Sequence, residues 1–329
     1  MWGTDTLFSI DDLNDHIIKD SDFRFFDKFD NTISRYLFNG FSSLSREYTV
    51  FINSFKTPNI YSVSGPCSIS LLLRNINFFA WVFRRPTGFQ SILSPFHPNN
   101  LKRHTGFLCL TKNAEKYFSN YAPSKFIPWC VDLDLFDGEP AFSTPKVPFF
   151  LASGKTGRDY KTLVESSYYT KAEIRIIGPS SERPKDLPSN VKWIDTSSNP
   201  PDQAIDYQTL REWYAQCIAV CIPLSGDADD TCGYTNMLEA MAMRKPVLMT
   251  KSGCLHINPE TDEFGIQIKS RDAQGWAHAM NHLHQDHEKA MKIGQRGRLI
   301  VERDFTIDRF NQDVLDFIQT NLKKVERKE

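Results

Sequence analysis

No apolar run in this chain approaches the roughly 20 residues that a membrane-spanning helix needs. The nearest stretch, "SISLLLRNINFFAWVFRRP", is broken by Arg74, Asn75 and Asn77. Both a Gly-x-x-x-x-Gly-Lys-[Ser/Thr] loop and a Gly-x-Gly-x-x-Gly fingerprint are missing, so neither common phosphate-binding signature applies. There is no internal repeat and no low-complexity segment, which excludes a solenoid or a tail-like chain. Net charge is also nearly absent, at −1. That balance argues against nucleic acid as the general partner. No secretory leader is apparent, and the seven cysteines (67, 109, 130, 217, 221, 232, 254) are odd in number and irregularly spaced. Reduced thiols in a cytoplasmic compartment are therefore expected. Cys217 and Cys221 stand four apart with no second pair at metal spacing, and read as small buried hydrophobes.

What is present is an ordinary soluble composition, 40% apolar and 24% charged over 329 residues, a length that favours two domains. The charge is unevenly spread. Residues 1–30 carry three basic and eight acidic side chains, whereas residues 31–131 carry eleven basic against Glu47 and Glu115 alone. The basic stretch suits a phosphate-bearing acceptor, peripheral contact with an anionic inner membrane face, or simply a solvated face. "FFAWVFRR" fits a membrane interface or a buried strand.

From residue 147 onward, strand and helix alternate. "VPFFLASG", "EIRIIGP", "VKWID", "VCIPL", "KPVLMT" and "FGIQIKS" read as buried parallel strands. "YKTLVESSYY", "YQTLREWYAQCIA" and "TNMLEAMAMR" read as the intervening helices, and the chain from Asp272 onward as helical. The first half alternates less clearly. "SRYLFNGFSSLSREYTVFIN" reads as a helix leading into a strand, "TLFSI" as a possible opening strand, and "NIYSVSG", "FFAWVFRRP", "GFLCLT" and "SKFIPWCV" as further strands. "TKNAEKYFSNYAP" reads as a helix. The expectation is α/β throughout: two Rossmann-like domains with parallel sheets facing a cleft. The first spans residues 1–146 and the second 147–329, with the terminal helices able to pack back on the first. Their hinge is expected at the proline-bearing Ser143–Pro148.

Two loops at strand ends carry chemistry. In "SGKTGRD", Gly154 and Gly157 permit close backbone approach, and Lys155 and Arg158 supply cations suited to a diphosphate. Alone, such a loop is as readily a plain turn. In "TCGYTNMLEAMAMRKPVLMT", a helix opens near Thr235, and its free N–H groups suit phosphate. Glu239 follows one turn later and is expected to point back toward that helix start, where an acceptor-only carboxylate suits a ribose diol. A Glu merely complementing the helix dipole is the alternative.

Together these elements resemble the second domain of GT-B glycosyltransferases of the family 4 type. That domain has a glycine-containing loop, a helix reading close to E-A-M-A and a strand beginning P-V. "FLASGKTGRDYKTLVES" is similar to the family's phosphate loop, with Lys155 and Arg158 at its two cationic positions. "FLCLTKNAEKYFSNYAPSKFIPWCVDLDLF" resembles the close of its first domain. The resemblance implies transfer of a sugar, with retention and without metal, from a nucleotide-diphosphate sugar to a glycan or lipid-linked acceptor. The nucleotide sugar serves as co-substrate and no cofactor is needed. It implies Lys155, Arg158 and Glu239 as catalytic residues. Gly154, Gly178, Thr231, Gly233, Tyr234, Thr235 and Asn236 would line the donor site, and Arg84, Arg85 and His97, with His104 nearby, would lie on the acceptor side.

Two positions depart from the pattern. Where the family often carries a first glutamate, eight before Glu239, this chain has Thr231, with Asp229 or Asp230 as possible substitutes. Arg244 replaces the usual glycine. These departures motivate a second reading, a non-catalytic GT-B-like partner or regulator. An epimerase of the same fold fits less well with E-A-M-A. "DAD" at Asp227–Asp229 invites a metal reading that the flanking order does not support. His278, His282, His284 and His287 read as a solvated helical face rather than a zinc site.

Overall fold

The computed structural model describes residues 44–63, 65–72, 75–86, 93–137, 147–196, 205–225, 231–251 and 255–323. The "TLFSI" segment, Asp227, Asp229, Asp230 and most of the expected Ser143–Pro148 hinge lie outside these residues. The chain divides into two compact units, Met1–Pro128 with Asn311–Glu329, and Trp129–Phe310. The division falls where it does because residues 129–131 are tied to the end of the second unit. Val131 bridges Thr306, its N–H donates to the Phe305 carbonyl at 2.9 Å, and Arg309 Nη2 donates to the Trp129 carbonyl at 3.1 Å.

In the first unit, four parallel strands lie in the order β1-β2-β3-β4: Asn59–Ser62, Asn77–Val82, Gly106–Cys109 and Ser124–Phe126. Every residue of β2 is buried, as a strand covered on both faces must be, so "FFAWV" is core. "YTVFIN" is not a strand. It closes a helix, Leu44–Ser54, whose buried residues Glu47, Val50 and Asn53 recur at three-residue spacing. That periodicity outweighs the β-preference of its Val, Thr and aromatics. The C-terminal residues complete this unit: Phe317 packs edge-on to Phe79, Asp313 pairs with Lys125 at 2.9 Å, and Asn77 Nδ2 donates to the Lys323 carbonyl at 3.0 Å.

The second unit holds a six-stranded parallel sheet, ordered β7-β6-β5-β8-β9-β10. Its strands are β5 Phe149–Ser153, β6 Glu173–Pro179, β7 Val191–Thr196, β8 Val220–Ile222, β9 Val247–Thr250 and β10 Gly265–Ile268. The chain winds outward from β5 to β7, returns to pair β8 against the other side of β5, and winds outward again. In open α/β sheets such a reversal, at the carboxyl ends of the strands, is the place where ligands bind. Among the described residues, no helix is long and apolar enough to cross a membrane.

Candidate functional site

Both loops singled out in the sequence leave this reversal point, one from β5 and one from β8. They are stitched together. Asp159 N donates to the Pro223 carbonyl at 2.9 Å, Ser225 N donates to the Gly157 carbonyl at 3.2 Å, and Arg158 bridges Leu224. Gly154 begins the first loop at φ +136°, a conformation L side chains rarely adopt, and a Cβ there would sit 2.5 Å from Arg158 Nη2. The missing side chain is what lets the guanidinium fold back over the loop. Arg158 Nε donates to the Ser153 carbonyl at 3.3 Å and Nη1 to the Thr156 carbonyl at 2.9 Å. Asp159 then caps the helix Tyr160–Ser166 by accepting from Thr162 N.

The loop from β8 enters the helix Tyr234–Ala242 at Gly233, whose φ is +81°. As a glycine, Gly233 offers no capping side chain. Tyr234 N donates back to the Thr231 carbonyl at 3.3 Å, and among the described residues the N–H groups of Thr235 and Asn236 are those left at the helix start. Arg158 Nη2 crosses to that first turn and donates to Asn236 Oδ1 at 2.5 Å. Asn236 Nδ2 in turn donates to Ser153 Oγ at 3.1 Å and to the Tyr214 hydroxyl at 3.3 Å. Tyr214 O–H donates to Glu239 Oε2 at 2.9 Å. Glu239 is only 3% exposed, and that burial pushes its carboxyl up to about 7. The partner that an acid in so apolar a helix requires is therefore a phenol from the helix Tyr207–Gln216.

The structure thus gathers Gly154, Arg158, Asn236 and Glu239 into one connected group. Lys155 lies half-buried on the same loop, and Thr231, Gly233 and Thr235 are at the adjoining helix start. Tyr234 is buried, and its hydroxyl lies 3.4 Å from His256 Nδ1, outside that network. Gly178, at the end of β6, acts through a neighbour. A Cβ there would press on Tyr160 and Trp193 at 3.0 Å, and Tyr160 needs that space to donate to the Gly154 carbonyl at 2.7 Å.

The four acceptor-side candidates belong to the first unit. Arg84 and Arg85 follow β2 on the surface. His97 caps the short helix Pro98–Leu101, accepting from Asn99 N at 3.3 Å. His104 is buried against Phe78 and Phe107, and burial depresses its pKa to about 3, so it is a neutral core residue. Among the described residues no cluster of His, Cys, Asp or Glu is arranged to hold a metal ion.

Sequence reasoning passed over Ser153, Tyr160 and Tyr214. Tyr214 left no signal of its own in the sequence, because its need for a hydrogen-bond acceptor follows from a burial that only the fold shows.

Comparison with solved structures assigns the fold. The chain adopts the α/β architecture of GT-B glycosyltransferases. It matches a glycosyltransferase from Rickettsia africae at TM-score 0.60 and 15% identity, over 84% of this chain and 80% of that one. A sucrose-phosphate synthase from Thermosynechococcus elongatus matches at TM-score 0.60 and 15% identity, over 83% and 76%. HepE from Anabaena, solved in complex with UDP, matches at TM-score 0.60 and 15% identity, over 83% and 82%. At the level of family, residues 159–286, which include Tyr214, Asn236 and Glu239, match the model described as glycosyl transferases group 1. Among curated proteins, none matches the sequence significantly.

Proposed function

We propose that this protein is a glycosyltransferase that moves a sugar from a nucleoside-diphosphate sugar to an acceptor hydroxyl on a glycan or lipid-linked glycoconjugate. Transfer proceeds with retention at the anomeric carbon and without a metal. The observation that carries this reading is the Arg158–Asn236 hydrogen bond, which joins a cationic glycine loop to a glycine-led helix start at the sheet's reversal point. Lys155, Arg158 and the first-turn N–H groups then surround a diphosphate and stabilise the charge that grows on it as the glycosidic bond breaks. Glu239, with one oxygen held by Tyr214, accepts from ribose hydroxyls with the other. The match to group 1 glycosyl transferases and the UDP held by a protein of the same fold support a nucleotide-sugar donor.

The test is a thermal-shift series with UDP, GDP, ADP and dTDP on the wild type, Lys155→Ala and Arg158→Ala. One diphosphate is expected to stabilise the wild type and to lose most of its effect in both variants. With the matching nucleotide sugar and a glycan or lipid-linked acceptor, transfer of the sugar to the acceptor hydroxyl and release of the nucleoside diphosphate should persist in EDTA. Failure of all four nucleotides to stabilise a folded sample would sink the reading and favour a non-catalytic partner of an active transferase.

A further inference from the structure

The network at the candidate site has a direction. Arg158 Nη2 donates to Asn236 Oδ1 at 2.5 Å, Asn236 Nδ2 donates to the Tyr214 hydroxyl at 3.3 Å, and Tyr214 donates to Glu239 Oε2 at 2.9 Å. Every donor points the same way, from a half-buried cation through two neutral groups to a buried carboxylate. Asn236 can be oriented in one sense only, because an arginine has no acceptor and must face the amide oxygen. The side bond from Asn236 Nδ2 to Ser153 Oγ at 3.1 Å fixes the amide further.

We infer that Tyr214 and Asn236 are positioning residues that transmit the hold of Glu239 to Arg158, and so fix the guanidinium where the donor's diphosphate binds. The inference rests on the proposed nucleotide site and deepens it. Aligned hydrogen bonds polarise one another, so an ionised Glu239 tightens each link and holds Arg158 most firmly. A protonated Glu239 offers the phenol only a neutral carbonyl oxygen, a weaker acceptor than the carboxylate, so the pull on each link slackens.

Among the described residues, the charged and titratable groups around Glu239 are few. Tyr207 and Tyr214 face it from the helix Tyr207–Gln216. From the helix His287–Asp304, Arg298 reaches only the far end of the Glu239 helix, donating to the Ala242 carbonyl at 2.9 Å. His256 meets Tyr234 rather than Glu239, and Lys245 Nζ is committed to the Ala215 and Cys217 carbonyls. The β8 and β9 strands behind the helix present Ile222 and Met249. Burial brings Glu239 to about 7, so the relay switches within the neutral range.

The experiment is calorimetric titration of UDP, GDP, ADP and dTDP into wild type and Tyr214→Phe at pH 6 and pH 8. Wild-type affinity for the nucleotide that binds should rise with pH more steeply than that of Tyr214→Phe, and at pH 8 the variant should bind roughly 3- to 10-fold more weakly. The nucleotide's own phosphate titrates near pH 6, but equally for both proteins, so the difference between them isolates the relay. A second readout needs no variant. The Arg158 guanidinium ¹⁵N signals of the free protein should shift with pH at the midpoint of the Glu239 carboxyl ¹³C signal. Equal affinities and parallel pH profiles in the two proteins, or Arg158 signals that stay still while Glu239 titrates, overturn the inference and leave the nucleotide site standing. Absence of binding by wild type to all four nucleotides overturns the site reading and the inference with it.

Discussion

At the scale of single residues, Glu239 has a consequence for stability that can be measured without any ligand. Burial makes the folded state hold its proton more tightly than the unfolded state does. Its contribution to stability is therefore full in acid and disappears as the pH climbs through about 7. Glu239→Gln does not titrate and can still accept from Tyr214. In urea unfolding, the variant should gain on wild type by about 2 kcal/mol between pH 5 and pH 8. Curves that stay parallel would mean that Glu239 ionises normally. Gly154→Ala acts differently. The new Cβ clashes with the end of a flexible side chain, so the fold should survive at a cost of about 1–2 kcal/mol in backbone strain. Arg158 is displaced, and diphosphate binding should fall at least tenfold in a direct titration. Glu239 was legible in the sequence because a carboxylate within an apolar helix stands out. Tyr214 was not, since a tyrosine in "LREWYAQC" is unremarkable until the fold brings it to residue 239.

At the scale of elements, the parallel strands of the second unit were readable because each is a short apolar run closed by Gly, Pro or a polar turn. The helix at Leu44–Ser54 was only half readable, because a sequence rich in Thr, Val and Phe satisfies local rules for a strand and only its packing partners decide. What seats the helices against one another was also hidden. Gly294, in the helix His287–Asp304, lies so close to the turn after the Glu239 helix that a Cβ would stand 2.0 Å from the Arg244 carbonyl oxygen. The obstacle there is backbone, which cannot swing aside. Gly294→Ala should lower stability by about 2–3 kcal/mol, read as an earlier urea midpoint with an unchanged slope. Arg244 itself, at φ +56°, occupies a left-handed turn where glycine is the easier choice. Its guanidinium pairs with Asp137 at 3.4 Å, which gives that side chain a use at a strained position.

Across the whole molecule, the two units have separate cores. Phe150, Leu163, Ile176 and Leu248 belong to one core, and Ala80, Leu101, Phe107 and Phe118 to another. Scanning calorimetry should resolve two transitions, of which a saturating nucleoside diphosphate moves one. At a hundred times the dissociation constant, that transition should rise by roughly 5–10 °C. A shift of both transitions together would mean that the units unfold as one. The grouping of Asn311–Glu329 with the first unit could not be read from local pattern, because it depends on side chains nearly 250 positions away, such as Asn77 on Lys323. That pairing also orders events on the ribosome. The strands β1 to β4 emerge well before Phe317 and Asp313, which cover Phe79 and hold Lys125. At about 5–20 residues per second, the nascent chain carries an uncovered sheet for roughly 10–40 seconds while the second unit is made. During that interval the earlier unit is the one exposed to chaperones and proteases, and a stalled or shortened message endangers it first.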